Sequence, residues 1–144
     1  MAFQMKEYDP DEYTVYFNGV LIQGYADGEF VTVAQVTDSF TEVVGTDGDV
    51  TRSKTNDRRL KVEFKLMQTS ASNAALSAIH NIDLNAPNGA GVGTLSIVDN
   101  LGATRVSSSA AWIVRYPDAA LDRSAKDRVW TIMCANHDRF EGGK

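Results

Sequence analysis

Leu60-Lys61-Val62-Glu63-Phe64-Lys65-Leu66 is apolar at every even position and charged at every odd one. A period of two sends successive side chains to opposite faces of a strand. Leu60, Val62, Phe64 and Leu66 therefore point into a core, while Lys61, Glu63 and Lys65 face solvent, a neighbour or an enclosed polar space. Just before this strand, residues 45–58 carry a single aliphatic side chain, Val50, among Gly, Asp, Thr, Ser, Asn and basic residues, which reads as a long loop. Just after it, Ser70 or Ser72 offers an N-cap, and Ala75, Leu76, Ile79 and Ile82 recur on a 3.6-residue period. One helix of about three turns is expected there, ending before Pro87.

Upstream, residues 13–17 and 20–24 are rich in β-branched and aromatic side chains and flank Asn18-Gly19. Asn-Gly accepts positive φ at both turn positions, so a type I′ hairpin follows. Asp27-Gly28 breaks the chain before a strand over 29–36; the pattern loosens over 37–41 and resumes at 42–44. Downstream, residues 85–93 are turn material, and strands are expected over 94–98, 104–116 and 128–135, carrying Trp112 and Trp130, with Pro117 as a stop. The polar tail, 136–144, is expected to fray. The sum is a mainly β, sandwich- or barrel-like fold of six or seven strands with one flanking helix. It forms one domain over 1–144, with its core over about 13–135.

The 144 residues, 43% hydrophobic and 23% charged, suit one folded domain without staples. A lone cysteine, Cys134, allows no internal disulfide. Glu7 and Asp9 interrupt any signal-peptide centre, and no apolar run is long enough to span a bilayer. A net charge of −5 opposes a surface that grips phosphates by releasing counterions, so useful affinity for duplex DNA is not expected.

A search for chemistry returns little. Gly89, Gly91 and Gly93 follow a helix and precede a strand, the reverse of a phosphate loop. Asp47-Gly48-Asp49 begins like a calcium loop, yet its twelfth position is Arg58 instead of Glu. His80 and His137 have no partner at metal-ligand spacing, and Cys134 sits in an apolar strand run. Accordingly no catalytic, cofactor-binding or metal-binding residue is assigned, no cofactor is expected, and the chain does not read as an enzyme.

What stands out is the loop, because ordering about twelve residues costs on the order of 12 kcal/mol of backbone entropy. Burying Val50 returns only about 2 kcal/mol. Its charges are also sorted: Asp38, Glu42, Asp47 and Asp49 lie on the way out, and Arg52, Lys54, Arg58 and Arg59 on the way back, with Asp57 the one acid among them. The loop is thus either a solvated arm whose charges cancel or an arm that docks on another subunit.

At these residues the sequence resembles the tail tube proteins of contractile-tailed bacteriophages. The resemblance spans about residues 13–135 and rests on Phe17-Asn-Gly-Val-Leu-Ile-Gln-Gly24 running into Ala26-Asp-Gly-Glu29, on Asp38-Ser-Phe-Thr-Glu-Val-Val-Gly-Thr-Asp-Gly-Asp49, on Thr51-Arg-Ser-Lys-Thr-Asn-Asp-Arg58 and on Leu66-Met-Gln-Thr-Ser-Ala-Ser72. It implies a barrel-like subunit that closes into hexameric rings stacked as a tube, through which DNA passes without specific binding. It also implies a sheath outside the tube, baseplate and tail terminator proteins at its ends, and residence in the virion after assembly in the bacterial cytoplasm. Asp47, Asp49, Arg52, Lys54, Asp57 and Arg58 are the expected contacts between subunits or rings. The alternatives are a tube subunit of a contractile bacteriocin or type VI-like secretion apparatus, a monomeric carbohydrate-binding β-sandwich, and a small hydrolase on a β scaffold.

Overall fold

The computed structural model describes Phe3 and residues 5–142. After a short 3-10 turn, Pro10–Glu12, ten strands and one helix follow in the order β1 (Tyr13–Phe17), β2 (Val20–Leu21), β3 (Val31–Gln35), β4 (Phe40–Val44), β5 (Val50–Lys54), β6 (Leu60–Met67), α1 (Ser72–Asn85), β7 (Gly93–Asp99), β8 (Arg105–Arg115), β9 (Asp127–Cys134) and β10 (Asp138–Phe140). Eight strands form one antiparallel sheet in the order β2-β1-β7-β8-β9-β6-β3, with β10 paired to β8; β4 and β5 form a separate two-stranded sheet. The mainly β class with a single helix is as expected. The strand number is higher than six or seven, and among the described residues the sheet does not close into a barrel.

The alternation at 60–66 does what its period requires. Leu60, Val62, Phe64 and Leu66 are fully buried, and β6 pairs with β9 over eight residues, from Leu60↔Cys134 to Met67↔Asp127. Lys61 and Glu63 share the outer face as an ion pair at 3.0 Å. Asn18 at φ 51° and Gly19 at φ 81° make the β1–β2 turn. The second strand is shorter than expected because the chain leaves it for the opposite end of the sheet. Gly24, at φ 76°, redirects the backbone so that its carbonyl accepts from Met67 N–H and Ala26 N–H donates to Lys65 C=O, each at 2.8 Å.

The sheet curls. Although β1 and β3 lie near opposite ends of the strand order, Val15, Ile97 and Val106 line a cleft of about 600 Å³ together with Val31 and Val33. Trp130, Phe17, Leu95 and Ile132 fill the closed part of the core. The helix packs against β8 on part of the expected face: Leu76 is buried and Ile79 packs against the core, but Ser72 and His80 are buried beside them, whereas Ile82 is 53% exposed. Aromatic packing favours the His80 side, where the His80 and Tyr116 rings meet edge to face at 4.6 Å between centroids.

Two further expectations change. Residues 45–58 are not one loop, because β5 occupies 50–54 and pairs with β4 in register from Phe40↔Lys54 to Val44↔Val50. The tail is not all frayed: β10 continues the edge of β8 that β9 leaves, with Asp138↔Ser107 and Phe140↔Arg105. Backbone pairing holds it without any buried side chain. Gly143 and Lys144, the last of the expected tail, lie outside the described residues.

Candidate assembly surface

Every residue of β4 and β5 is exposed. The two strands make an arm that contributes nothing to the core. Its tip closes by local hydrogen bonds, Gly45 N–H to Asp49 C=O at 2.7 Å and Gly48 N–H to Gly45 C=O at 3.0 Å, with Gly48 at φ 86°. That positive φ is a conformation side chains disfavour. Register places Phe40/Lys54, Glu42/Arg52 and Val44/Val50 on one face, and Thr41/Ser53 and Val43/Thr51 on the other. The sorted charges of the sequence therefore meet across the hairpin: Glu42 stands opposite Arg52, whose guanidinium also lies 4.2 Å over the Phe40 ring.

Of the six expected contact residues, Asp47 and Asp49 sit in the exposed tip and Arg52 and Lys54 on exposed β5. Asp57 is engaged within its own chain. Its carboxylate accepts from Thr37 Oγ1 at 2.6 Å and from Arg59 Nε and Nη2, each at 2.9 Å. Those bonds hold its pKa well below the ordinary carboxylate value, the Arg59 side-chain bonds contributing most. The Arg58 side chain is exposed while its carbonyl is bonded to His137 Nδ1 at 2.7 Å; since a carbonyl only accepts, that nitrogen carries the proton.

Charge drew attention to the arm, but its apolar surface is equally prominent. Val43, Val44 and Val50 are 69%, 63% and 64% exposed, beside a partly exposed Phe40. The adjacent Val43-Val44 was the available signal. Elsewhere, β2 and β3 end the strand order with one edge each unpaired among the described residues, a liability in a monomer and a joining surface in an assembly.

Cys134 is fully buried and burial pushes its thiol pKa up. Among the described residues no three His, Cys, Asp or Glu side chains are grouped to hold a metal, and no helix is long and apolar enough to cross a membrane.

Residues 15–142 match the family model for the bacteriophage PhiTE tail tube protein. The chain is 29% identical over 149 aligned positions to structural protein ORF10 of Pseudomonas phage KPP10, covering 99% of this chain and 86% of that protein. In fold it is similar, at a TM-score of 0.62 and 11% identity, to a chain in the cryo-EM structure of an extracellular contractile injection system, the PVC sheath/tube terminator in its extended state; the match covers 95% of this chain and 99% of that one.

Proposed function

Since the chain belongs to the bacteriophage PhiTE tail tube protein family, and is thus a structural protein of the phage tail tube with no enzymatic activity, we propose that six copies close into a ring and that rings stack into the channel through which DNA enters the host. The observation that carries this reading is a sheet whose two end strands each keep one open edge among the described residues, joined to an arm exposed along its whole length. Ring closure pairs the open edges of one subunit with those of the next. The arm, with Asp47, Asp49, Arg52 and Lys54, reaches a neighbouring subunit or ring.

A charge of −5 per subunit keeps DNA from sticking to the channel wall. The tube's other partners are a sheath around it and baseplate and terminator proteins at its ends, all met in the host cytoplasm during virion assembly. The fold likeness to the injection-system chain supports a second reading, the tube of a protein-injecting machine. Electron microscopy of the purified protein over a concentration series tests assembly: rings or tubes about six subunits around are expected, and a strict monomer at every salt and concentration overturns it. Immunogold labelling of DNA-filled particles then separates the two readings.

A further inference from the structure

The arm does not simply extend the sheet. The last register pair of β3 and β6 is Gln35↔Leu60, and the first of β4 and β5 is Phe40↔Lys54. Between them lie residues 36–39 on the outgoing leg and 55–59 on the returning one, one residue more. The ladder cannot run through such a mismatch, which bends and twists the ribbon as a bulge does. Two backbone bonds bracket this neck, Val36 N–H to Arg59 C=O at a long 3.5 Å and Thr55 N–H to Ser39 C=O at 3.0 Å.

Between those bonds the legs are joined by a side chain. Thr37 Oγ1 donates to Asp57 Oδ2 at 2.6 Å, across twenty residues of sequence. The other bonds of that carboxylate come from its own leg: Arg59 N–H at 3.1 Å and the Arg59 guanidinium in a two-pronged contact. Asp57 N–H in turn donates to Thr55 Oγ1 at 3.1 Å. The returning leg is itself tied to the β9–β10 corner through His137 and the Arg58 carbonyl. Arg59 thus fixes the carboxylate, His137 fixes the leg that bears it, and the outgoing leg hangs on both through Thr37.

We propose that Asp57 is a positioning residue that aims the arm, setting with Thr37 the angle at which the β4–β5 hairpin leaves the sheet so that it meets a second copy of this chain without a search. The proposal rests on the tube reading for its consequence and on the neck alone for its geometry. Without the clasp the hairpin swings about the mismatch, and affinity for the neighbour falls by the fraction of orientations still competent.

The test places spin labels at the arm tip and on the sheet, in the double variant Thr46→Cys/Ser107→Cys; Cys134 is fully buried and escapes labelling. The tip-to-sheet distance distribution in the dilute full-length chain is expected to be narrow, to broaden at least twofold with Thr37→Val, and to narrow again with Thr37→Ser, which keeps the hydroxyl. Asp57→Ala is expected to broaden it to the same degree, and the Thr37→Val/Asp57→Ala pair no further. The melting temperature should fall by no more than about 4 °C, since Thr37 and Asp57 are half-buried and lie outside the core, while the critical concentration for tube growth rises severalfold. An unchanged distribution in Thr37→Val, or broadening that Thr37→Ser does not reverse, overturns the clasp. Failure of the parent to form tubes would instead count against the tube reading, since the distance measurement needs only the monomer.

Discussion

Replacing Val43, Val44 and Val50 by threonine separates the arm's role in assembly from any role in folding. Threonine keeps the shape and β preference of valine but exchanges a methyl for a hydroxyl. In the subunit about two thirds of each valine is in water, so the exchange should change subunit stability by less than about 0.5 kcal/mol and the melting temperature by less than about 2 °C. In a contact that covers the arm, each valine stabilises by roughly 1–2 kcal/mol. The threonine hydroxyl cancels about 1 kcal/mol of that. Where both faces of the hairpin are covered, three sites sum to about 3 kcal/mol per arm, or roughly a hundredfold in the critical concentration for tube growth; the Val44/Val50 face alone gives about 2 kcal/mol, or roughly thirtyfold. Pelleting assays at graded concentrations give that threshold, and calorimetry gives the melting temperature. Because Val43 lies on one face of the hairpin and Val44 with Val50 on the other, Val43→Thr alone against Val44→Thr/Val50→Thr identifies the covered face. A threshold unchanged in all variants would refute the apolar docking of the arm; a melting temperature lowered by many degrees would place these valines in the subunit's own fold.

Gly24→Ala should destabilise the subunit by about 1–3 kcal/mol, because φ is 76° there and a Cβ would lie 2.5 Å from Ser70 Oγ, which is itself bonded to the Gln23 carbonyl; a melting temperature within a degree of the parent would refute it. The Tyr25 hydroxyl is buried with no hydrogen-bond partner among the described residues, and burial pushes its pKa up to about 12 from 10.0. The folded state therefore keeps a proton that the unfolded chain releases, so this group's contribution is complete below pH 10 and is lost as pH rises toward 12. Tyr25→Phe should be neutral to slightly stabilising at pH 7 and should flatten that alkaline decline, measured as urea midpoints at pH 8, 10 and 11; an equally steep decline in the variant would refute the assignment.

The strands legible in the sequence are those with one face in the core. Burial imposes a period, which is why β6 reads directly from Leu60 to Leu66 and β1 from Tyr13 to Phe17. The arm has no buried face, so Val50-Thr51-Arg52-Ser53-Lys54 carries no alternation of polarity and reads as loop; only the β preference of its threonine and valine and the Gly45 and Gly48 turn hinted otherwise. The strand at 138–140 was hidden for the same reason. The helix was legible as a helix, but the His80 side is favoured over the Ile82 side by Tyr116, far along the chain. Of the candidate contacts, the exposed charges at Asp47, Asp49, Arg52 and Lys54 could be listed from sequence by sign alone. The in-chain engagement of Asp57 could not, since its partner Thr37 becomes a neighbour only once β3 and β6 have paired.

The position of β9 in the sheet bears on how the protein is made. Among the described residues it is the only strand joining the β2-β1-β7-β8 half to the β6-β3 half, and it comes from residues 127–134, after every strand that it joins. Until it emerges from the ribosome, Leu60, Val62, Phe64 and Leu66 have no Trp130 or Ile132 to pack against, and the facing edges of β6 and β8 stay open. Non-local pairing of this kind makes folding slow and late. A chain broken off before Asp127 lacks Trp130, Ile132 and Cys134 of the core and the strand that holds the two half-sheets together, so it cannot offer a growing polymer a subunit with properly finished edges. Placing the keystone strand after all the strands it joins makes its synthesis a condition for entering the assembly.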